Sequence, residues 1–333
     1  MRGWMFGAAL AAAVLGASAP RAMAQQAAPS GTLTVYTSQP SDQMAEVIKL
    51  FNASYPDVKV ELFRSGTTEV MNKLQAEFAA GGAKADVVLI ADAVAASQLK
   101  KDGRLQPYAE AKVGSIPKSL VDPDMSWFGT KLITTGIVYN TTLVKAPPKS
   151  WKDLLAPEAA RSTIMPSPLY SGAAAIHIGT LVQQPGFGWP YVETLAKNGA
   201  VAGKGNGSVI EAVARGEKAY GIIIDYMTYN AKAKGSPVDF VVPAEGVSVI
   251  SQPVAILKGT RNPEAAKAFV DWQLGEASQR QAVAQGYYPV IPSVEAPKGY
   301  PPVSSMTLMS ADPAAMMAAD EAMKQKFAEL FGG

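Results

Sequence analysis

Apolar positions along the chain follow two periods, and the switches between them mark out the elements. LTVYTSQ (33–39) mixes apolar, β-branched and aromatic residues as a strand does. From Ser41 to Phe51 the period lengthens to that of a helix, with Met44, Val47, Ile48 and Phe51 on one stripe and Ser41 as the expected N-cap. VKVELFRSG (58–66) alternates again, and the next helix is expected to be capped by Thr67 or Thr68 and to reach about Ala80. ADVVLIAD (85–92) is a short unbroken apolar run, which suits a strand buried on both faces of a parallel sheet. Strand, helix, strand, helix, strand is the pattern of an α/β layer.

A second α/β region follows. A short helix is expected at Trp151–Leu155, a strand end at 162–168, helices at Ser171–Val182, Gly188–Lys197 and Ser208–Arg215, and a buried strand at 219–225. KLITTGIVYN (131–140) leads into this region, and FVVPAEGVSVISQPVAIL (240–257) leads back out of it. Two long extended passages predict two lobes joined by a hinge. The lobes are expected at residues 31–130 with 250–290, and at 131–249 with 291–333. Ala266, Phe269, Val270 and Leu274 give the clearest stripe, predicting one helix from Pro263 to Gln285. The Met-rich end (Met306, Met309, Met316, Met317, Met323) reads as helix packing. The expected fold class is therefore α/β, two α/β lobes joined by extended hinge strands.

The first residues change the picture of where this chain works. Arg2, the apolar stretch Trp4–Leu15 and Ala22-Met23-Ala24 predict a secretory signal peptide (1–24) cut after Ala24. The stretch is shorter than the ~20 residues of a bilayer span. Removing Arg2 and Arg21 brings 30 basic residues level with 28 acidic ones, so no electrostatic footprint for nucleic acid or anionic lipid is expected. With no cysteine and one histidine, zinc-finger, iron–sulfur and thiol chemistry are excluded. The expectation is an exported periplasmic protein able to stand as a monomer, with no cofactor.

No catalytic kit can be assembled. There is no G-x-S-x-G elbow, and GKGNG (203–207) lacks the spacing and the Ser/Thr after Lys of a phosphate-binding loop. His177 falls mid-helix, where a lone histidine is usually core or surface. The strand ends say more, because ligands of open α/β sheets sit where strands end and helices begin. Thr37-Ser38-Gln39, Ser65-Gly66-Thr67-Thr68 and Asp92 end strands of the first region, and Tyr170-Ser171-Gly172-Ala173 and Asp225-Tyr226 end strands of the second. Hydroxyls and bare amides at a helix start hold an oxyanion through free N–H groups and the helix dipole. A single such cluster is equally served by helix capping. Two of them converging from two lobes favour a ligand.

LTVYTSQ, ADVVLIADA with LKKDGRLQPY, GIVYN, PSPLYSGAA, VIEAVARGEKAYGIIIDY, NPEAAKAFVDWQLGEASQR and GYYPV, in this order, resemble an ABC-transporter substrate-binding protein. The likeness runs over roughly 31–295. It is narrower with the type II cluster that contains receptors for ferric ion, thiamine, sugar phosphates and 2-aminoethylphosphonate. The resemblance implies two lobes closing on a ligand and delivering it to an inner-membrane ABC permease. It also gives Ser171, Gly172 and Ala173 the role of anion seat. Ferric members hold the metal with adjacent tyrosines, of which only Tyr226 stands here, behind Asp225. Tyr226 and Asp92 would be a thin set for a hard cation that wants several anionic oxygens.

The best-fitting ligand is a small anionic or zwitterionic solute. Its anionic head is expected on Ser38, Ser65, Thr67, Thr68, Ser171, Gly172 and Ala173, and its amine or polar tail on Asp225, Tyr226 and Asp92. 2-Aminoethylphosphonate matches that description. Ferric ion with a synergistic anion is the alternative within the class, and an exported phosphoester hydrolase or transferase the alternative from another class. Tyr288 and Trp127 are expected at the hinge, and Tyr287 has no assigned place.

Overall fold

The computed structural model describes Met1 and residues 28–332. The expected signal peptide and its cleavage point lie, apart from Met1, outside the described residues. In the first part of the chain come β1 (Gly31–Thr37), α1 (Ser41–Ser54), β2 (Val58–Arg64), α2 (Thr67–Ala79), β3 (Val87–Leu89), α3 (Ala93–Lys101) and β4 (Leu105–Gln106). Then β5 (Phe128–Asn140) crosses into α4 (Pro157–Arg161), β6 (Thr163–Pro166), α5 (Gly172–Leu181), α6 (Gly188–Lys197), β7 (Val201–Gly203), α7 (Asn206–Ala214), β8 (Tyr220–Ile224), α8 (Asp225–Ala233) and β9 (Val238–Val241). The return runs through β10 (Ser248–Leu257), α9 (Pro263–Leu274), α10 (Glu276–Ala284), β11 (Tyr288–Pro289) and α11 (Pro313–Phe331). No helix among the described residues is long and apolar enough to cross a membrane.

The strands form one curled sheet in the order β2-β1-β3-β10-β5-β8-β6-β7, with β4 added to β10 and with β9 and β11 added to β5. β1 pairs in parallel with β2 and β3, and β6 in parallel with β7 and β8. Between these parallel halves, β5 and β10 run antiparallel, from Ser248 opposite Thr135 to Val254 opposite Phe128. The end of β5 near Asn140 takes β8 on one edge and β9 on the other. One strand therefore serves both lobes.

The unbroken apolar runs are buried on two faces. In β3, Val87 and Leu89 join a core with Phe51, Phe269 and Trp272, while Val88 and the following Ile90 join another with Val70 and Leu74. In β8, Ile222 faces Trp151, Ile178 and Phe327, and Ile223 faces Val209 and Val213. α11 lies against α3 of one lobe and against α5 and α6 of the other, with Met323 and Phe327 buried. His177 is a core residue. It is buried, shares a hydrogen bond with Ser248 Oγ (2.9 Å) and packs on Trp151. Tyr288 pairs with Leu132 on β5.

Three expectations are corrected. The helix expected over 263–285 is two helices, because Gly275 is extended (φ −83, ψ 159) and serves as N-cap of α10. The passage 240–257 is interrupted at Gly246 (φ +107), where an added Cβ would stand 2.6 Å from Thr307 O. At α1 and α2 the caps are Pro40 and Gly66, so Ser41, Thr67 and Thr68 lie inside the first turns, with their hydroxyls released from capping.

Phe269 is fully buried and meets the Phe51 ring edge-on at 5.2 Å. Phe269→Ala should cost about 3–5 kcal/mol in denaturant unfolding. A loss under about 1 kcal/mol would mean that this core is not the main support of its lobe.

Candidate functional site

The lobes meet over a cavity of about 470 Å³. Five helices, α1, α2, α5, α7 and α8, begin at its wall, through Ser41, Thr67, Gly172, Asn206 and the Ile224–Tyr226 turn. First-turn N–H groups have no partner within their own helix, and each N-terminus carries about half a positive charge. Some of these are answered by neighbours: Asp225 Oδ1 accepts from Tyr226 N on α8 (2.7 Å), Ser171 Oγ from Ala174 N on α5 (3.2 Å) and Tyr170 O from Thr68 N on α2 (3.3 Å). The starts of α1, α2, α5 and α7 still leave the cavity a field that suits an anion.

The Ser171-Gly172-Ala173 turn packs tightly and keeps donors free. Ser171 caps α5, and its Oγ accepts from Ala174 N (3.2 Å) and from Asn206 Nδ2 (3.1 Å). Both bonds use the oxygen's lone pairs, so the hydroxyl proton remains to be given. An added Cβ on Gly172 would stand 2.7 Å from Thr67 Oγ1 and 2.9 Å from Ala91 O. At Gly66 it would stand 2.3 Å from Tyr170 O. Glycine at these two positions lets the lobes approach backbone to backbone. Thr67 is 2% exposed, and its Oγ1 has no hydrogen-bond partner in the protein. A buried hydroxyl left without a partner is unfavourable, and this one lies under the Gly172 turn at the cavity wall.

Of the seat read from the sequence, Ser38, Thr67, Ser171, Gly172, Ala173 and Tyr226 line this one cavity. Four other residues do not, and the reason in each case is a nearer partner. Ser65 gives its hydroxyl to Glu69, one turn on. Thr68 Oγ1 donates to Pro168 O at 3.0 Å, tying the lobes together instead of facing a ligand. Asp225 is buried at the start of α8, where its Oδ2 accepts from Thr134 N (2.8 Å) and Thr134 Oγ1 (2.7 Å). Burial nonetheless pushes its carboxyl up to about 7. The carboxylate is thus turned to the crossing strand, and it is absent from the cavity lining.

Asp92 caps α3 through Ala95 N (2.9 Å) and lies in a separate cavity of about 390 Å³ between α3, α5, α6 and α11. Tyr226 and Asp92 are thus not brought together as a metal set. Among the described residues no group of three or more His, Cys, Asp or Glu is placed to hold a metal.

The sequence reading missed part of the lining. Arg64, the last residue of β2, reaches the cavity and donates to Tyr170 OH (3.1 Å), Gln39 O (3.3 Å) and Ser38 O (3.3 Å). Its place at a strand end was a readable signal. Lys204 and Asn206 come from the glycine loop read only as a connector. Lys204 pairs with Glu69 across the mouth at 3.4 Å and stands over the Tyr170 ring. Tyr287 arrives from a distant part of the chain and stacks on Tyr226, ring centroids 4.4 Å apart. Burial raises Tyr226 to about 12 and holds Tyr287 well above an ordinary phenol, so both keep their protons.

The chain matches the family "bacterial extracellular solute-binding protein" over residues 36–280. It is 30% identical to an uncharacterized protein of Haemophilus influenzae over 77% of this chain and 76% of the relative. It is 28% identical to a probable ABC transporter periplasmic-binding protein of Sinorhizobium fredii, over 86% and 80%. Among solved structures it is similar to the periplasmic binding protein AfuA of Actinobacillus pleuropneumoniae with fructose 6-phosphate bound, at 26% identity and a TM-score of 0.83, covering 90% of this chain and 98% of that one. The Sinorhizobium relative carries the name of a probable ABC transporter periplasmic-binding protein, and AfuA that of a periplasmic binding protein. The two-lobed fold, the cleft between the lobes and the family match agree, and the chain belongs to the bacterial extracellular solute-binding protein family, as the periplasmic receptor of an ABC transporter.

Proposed function

We propose that the receptor captures a small organic phosphate or phosphonate, with a sugar-sized phosphate monoester as first candidate, and hands it to its membrane permease. The observation that carries this reading is the convergence of four helix N-termini on one cavity from both lobes. Beside them stand the hydroxyl proton of Ser171, the Arg64 guanidinium and Thr67, whose covered Oγ1 has no partner in the protein. These are donors, with Glu211 the carboxylate in the lining, and a phosphate group has the oxygens to answer several of them at once. The cavity size falls in the ~300–1,000 Å³ range of organic-ligand pockets, which supports a ligand larger than the anion alone. The bound fructose 6-phosphate of AfuA supports the same class.

2-Aminoethylphosphonate keeps the anionic head, but its ammonium loses Asp225 as partner. Glu211 is the carboxylate left in the lining. Ferric ion with an anion has one observation in its favour, the stacked phenols Tyr226 and Tyr287. Burial works against it by keeping both protonated.

Calorimetric titration of metal-free mature protein with glucose 6-phosphate, fructose 6-phosphate, 2-aminoethylphosphonate and inorganic phosphate is the deciding experiment. Saturable binding of an organic phosphate or phosphonate, tighter than that of inorganic phosphate, is expected. Silence toward all four, with a coloured complex on adding ferric ion and phosphate, would overturn the reading. Steady release of inorganic phosphate from a sugar phosphate, lost in Ser171→Ala, would make the protein a hydrolase.

Thr67→Val keeps the shape and removes the orphaned hydroxyl. It should weaken the phosphate ligand about tenfold, the equivalent of about 1.4 kcal/mol, while the unliganded protein holds or gains stability. Loss of stability with affinity intact would mean that the hydroxyl serves the fold. Asp225→Asn should do the reverse. It should lower unfolding stability by about 1–3 kcal/mol, by spoiling bonds to Thr134 and Tyr226, and leave the preference among phosphates unchanged. A selective loss of amine-bearing ligands in that variant would return Asp225 to the binding site.

A further inference from the structure

Behind the cleft, β5 carries Lys131, whose side chain is 2% exposed. Its Nζ donates to Gln39 Oε1 at 2.6 Å and lies 4.9 Å from the centroid of the Tyr287 ring. Among the described residues no carboxylate pairs with it, and the single hydrogen bond uses one of an ammonium's three donors. An ammonium buried without a counter-ion is strongly unfavourable. Both of its contacts, Gln39 and Tyr287, line the cavity. Gln39 also accepts from Arg64 through its backbone oxygen and donates to Gln285 through Nε2. The ammonium thus stands one side chain behind the place where the anion is expected.

The groups around it are neutral. Gln39 faces it from the loop before α1, and Tyr287, next to β11, lies under the ammonium. Tyr287 OH donates to Gln43 Oε1 on α1 at 2.5 Å, and the adjacent Tyr288 OH donates to Pro301 O at 2.9 Å. On β10, Gln252 hydrogen-bonds Tyr287, and on α8, Tyr226 stacks on it. Burial keeps all three phenols protonated. The charges that reach this cluster are Asp225, which acts on Tyr226, Tyr287 and Tyr288, and Arg64 and Asp42, which act on Tyr226.

We propose that Lys131 is a specificity-determining cation of this receptor, matched in charge by the bound anion, so that capture of the ligand takes up a proton on its amine. The inference rests on the reading of the ligand as a phosphate or phosphonate. Lys131 also orients Gln39, which in turn holds the loop before α1, but a purely positioning role would not make binding depend on pH.

The sign follows from the burial. Without a ligand, desolvation brings the Lys131 ammonium down to about 7. An anion in the cleft favours the charged form and raises it again. Below that value the amine is charged with or without ligand, and binding is indifferent to its proton. Above it, binding must return a proton, and affinity falls as pH rises, by at most about tenfold per unit for one proton. A phosphate monoester loses its second proton near pH 6 and is a dianion throughout that range.

The test is calorimetric titration of the mature protein with glucose 6-phosphate, fructose 6-phosphate and 2-aminoethylphosphonate, between about pH 7 and 9, in buffers of different ionisation heat. Wild type should take up a sizeable fraction of a proton and lose affinity several-fold per pH unit. Lys131→Met should bind at least about tenfold more weakly at neutral pH, with no proton uptake and a flat profile. Lys131→Arg keeps the charge at every pH and should restore affinity with the profile still flat. Wild-type binding without proton uptake, which needs no variant to observe, would overturn this inference and leave the phosphate reading standing. An unchanged slope in Lys131→Met would do the same. If wild type binds no phosphate or phosphonate at any pH, the phosphate reading falls and this inference with it.

Discussion

The antiparallel ladder between β5 and β10 is the part of the molecule on which the rest depends. It is the seam at which two parallel half-sheets become one, from Phe128 opposite Val254 to Thr135 opposite Ser248. Because β5 continues to Asn140 between β8 and β9, the second lobe is hung on the same strand that completes the first. Backbone hydrogen bonds of this kind bend more readily than packed cores slide, since a packed interior accepts only discrete rearrangements. The register slips between Ser251 and Pro253, and Pro253 has no N–H to give the ladder. The crossing is thus irregular on the stretch where a change of angle between the lobes costs least.

That seam also decides what the cleft is made of. Parallel strands on either side end toward the gap between the lobes, and the helices that follow them begin there. Four helix N-termini then face one cavity, and none needs a charged side chain to be attractive to an anion. Arg64 and Lys204 are added at the mouth, where they also meet Tyr170 and Glu69 of the opposite walls. Exposed pairs such as Lys204 with Glu69 contribute little to holding the closed form, on the order of 0–1 kcal/mol. The lobes meet instead through the close approach of Gly66 to Tyr170 O and of Gly172 to Ala91 O and the Thr67 side chain, and through the bonds of Thr68 to Pro168 O and Tyr170 O. The turn that opens α5 is thus nearly free of side chains for two reasons at once. It must let a neighbour's backbone close in, and it must leave N–H groups uncovered.

How far this was readable follows from where each signal is written. β3 and β8 were plain because two buried faces demand an unbroken apolar run, and the α5 turn was plain because small residues after a strand end have few other uses. Asp225 misled because its position at a strand end is real, but its partner, Thr134, lies 91 positions away on the crossing strand. Asp92 misled for the same kind of reason: a strand-end carboxylate that caps the next helix looks, in sequence, like one that waits for a ligand. Gln252 reaches the cleft from β10 and Tyr287 from the residue before β11, both far along the chain from the other wall residues, and no local pattern reports that. Gly275 broke an otherwise consistent helical stripe, since the apolar period alone does not register a residue that turns extended and restarts the helix.

The errors share a direction. Every charged residue that the sequence offered as a ligand contact was claimed by the protein itself, while the hydroxyl of Thr67 and the ammonium of Lys131 were left short of partners. Folding satisfies polar groups wherever a neighbour is in reach, because an unpaired buried group is costly. Groups that stay unsatisfied inside a well-packed protein are therefore better pointers to a ligand than groups whose type merely suits one. Of the groups left unsatisfied among the described residues, Thr67 lines this cavity and the Lys131 ammonium stands behind Gln39 and Tyr287 in its wall, and both ask for the same thing, negative charge on oxygen.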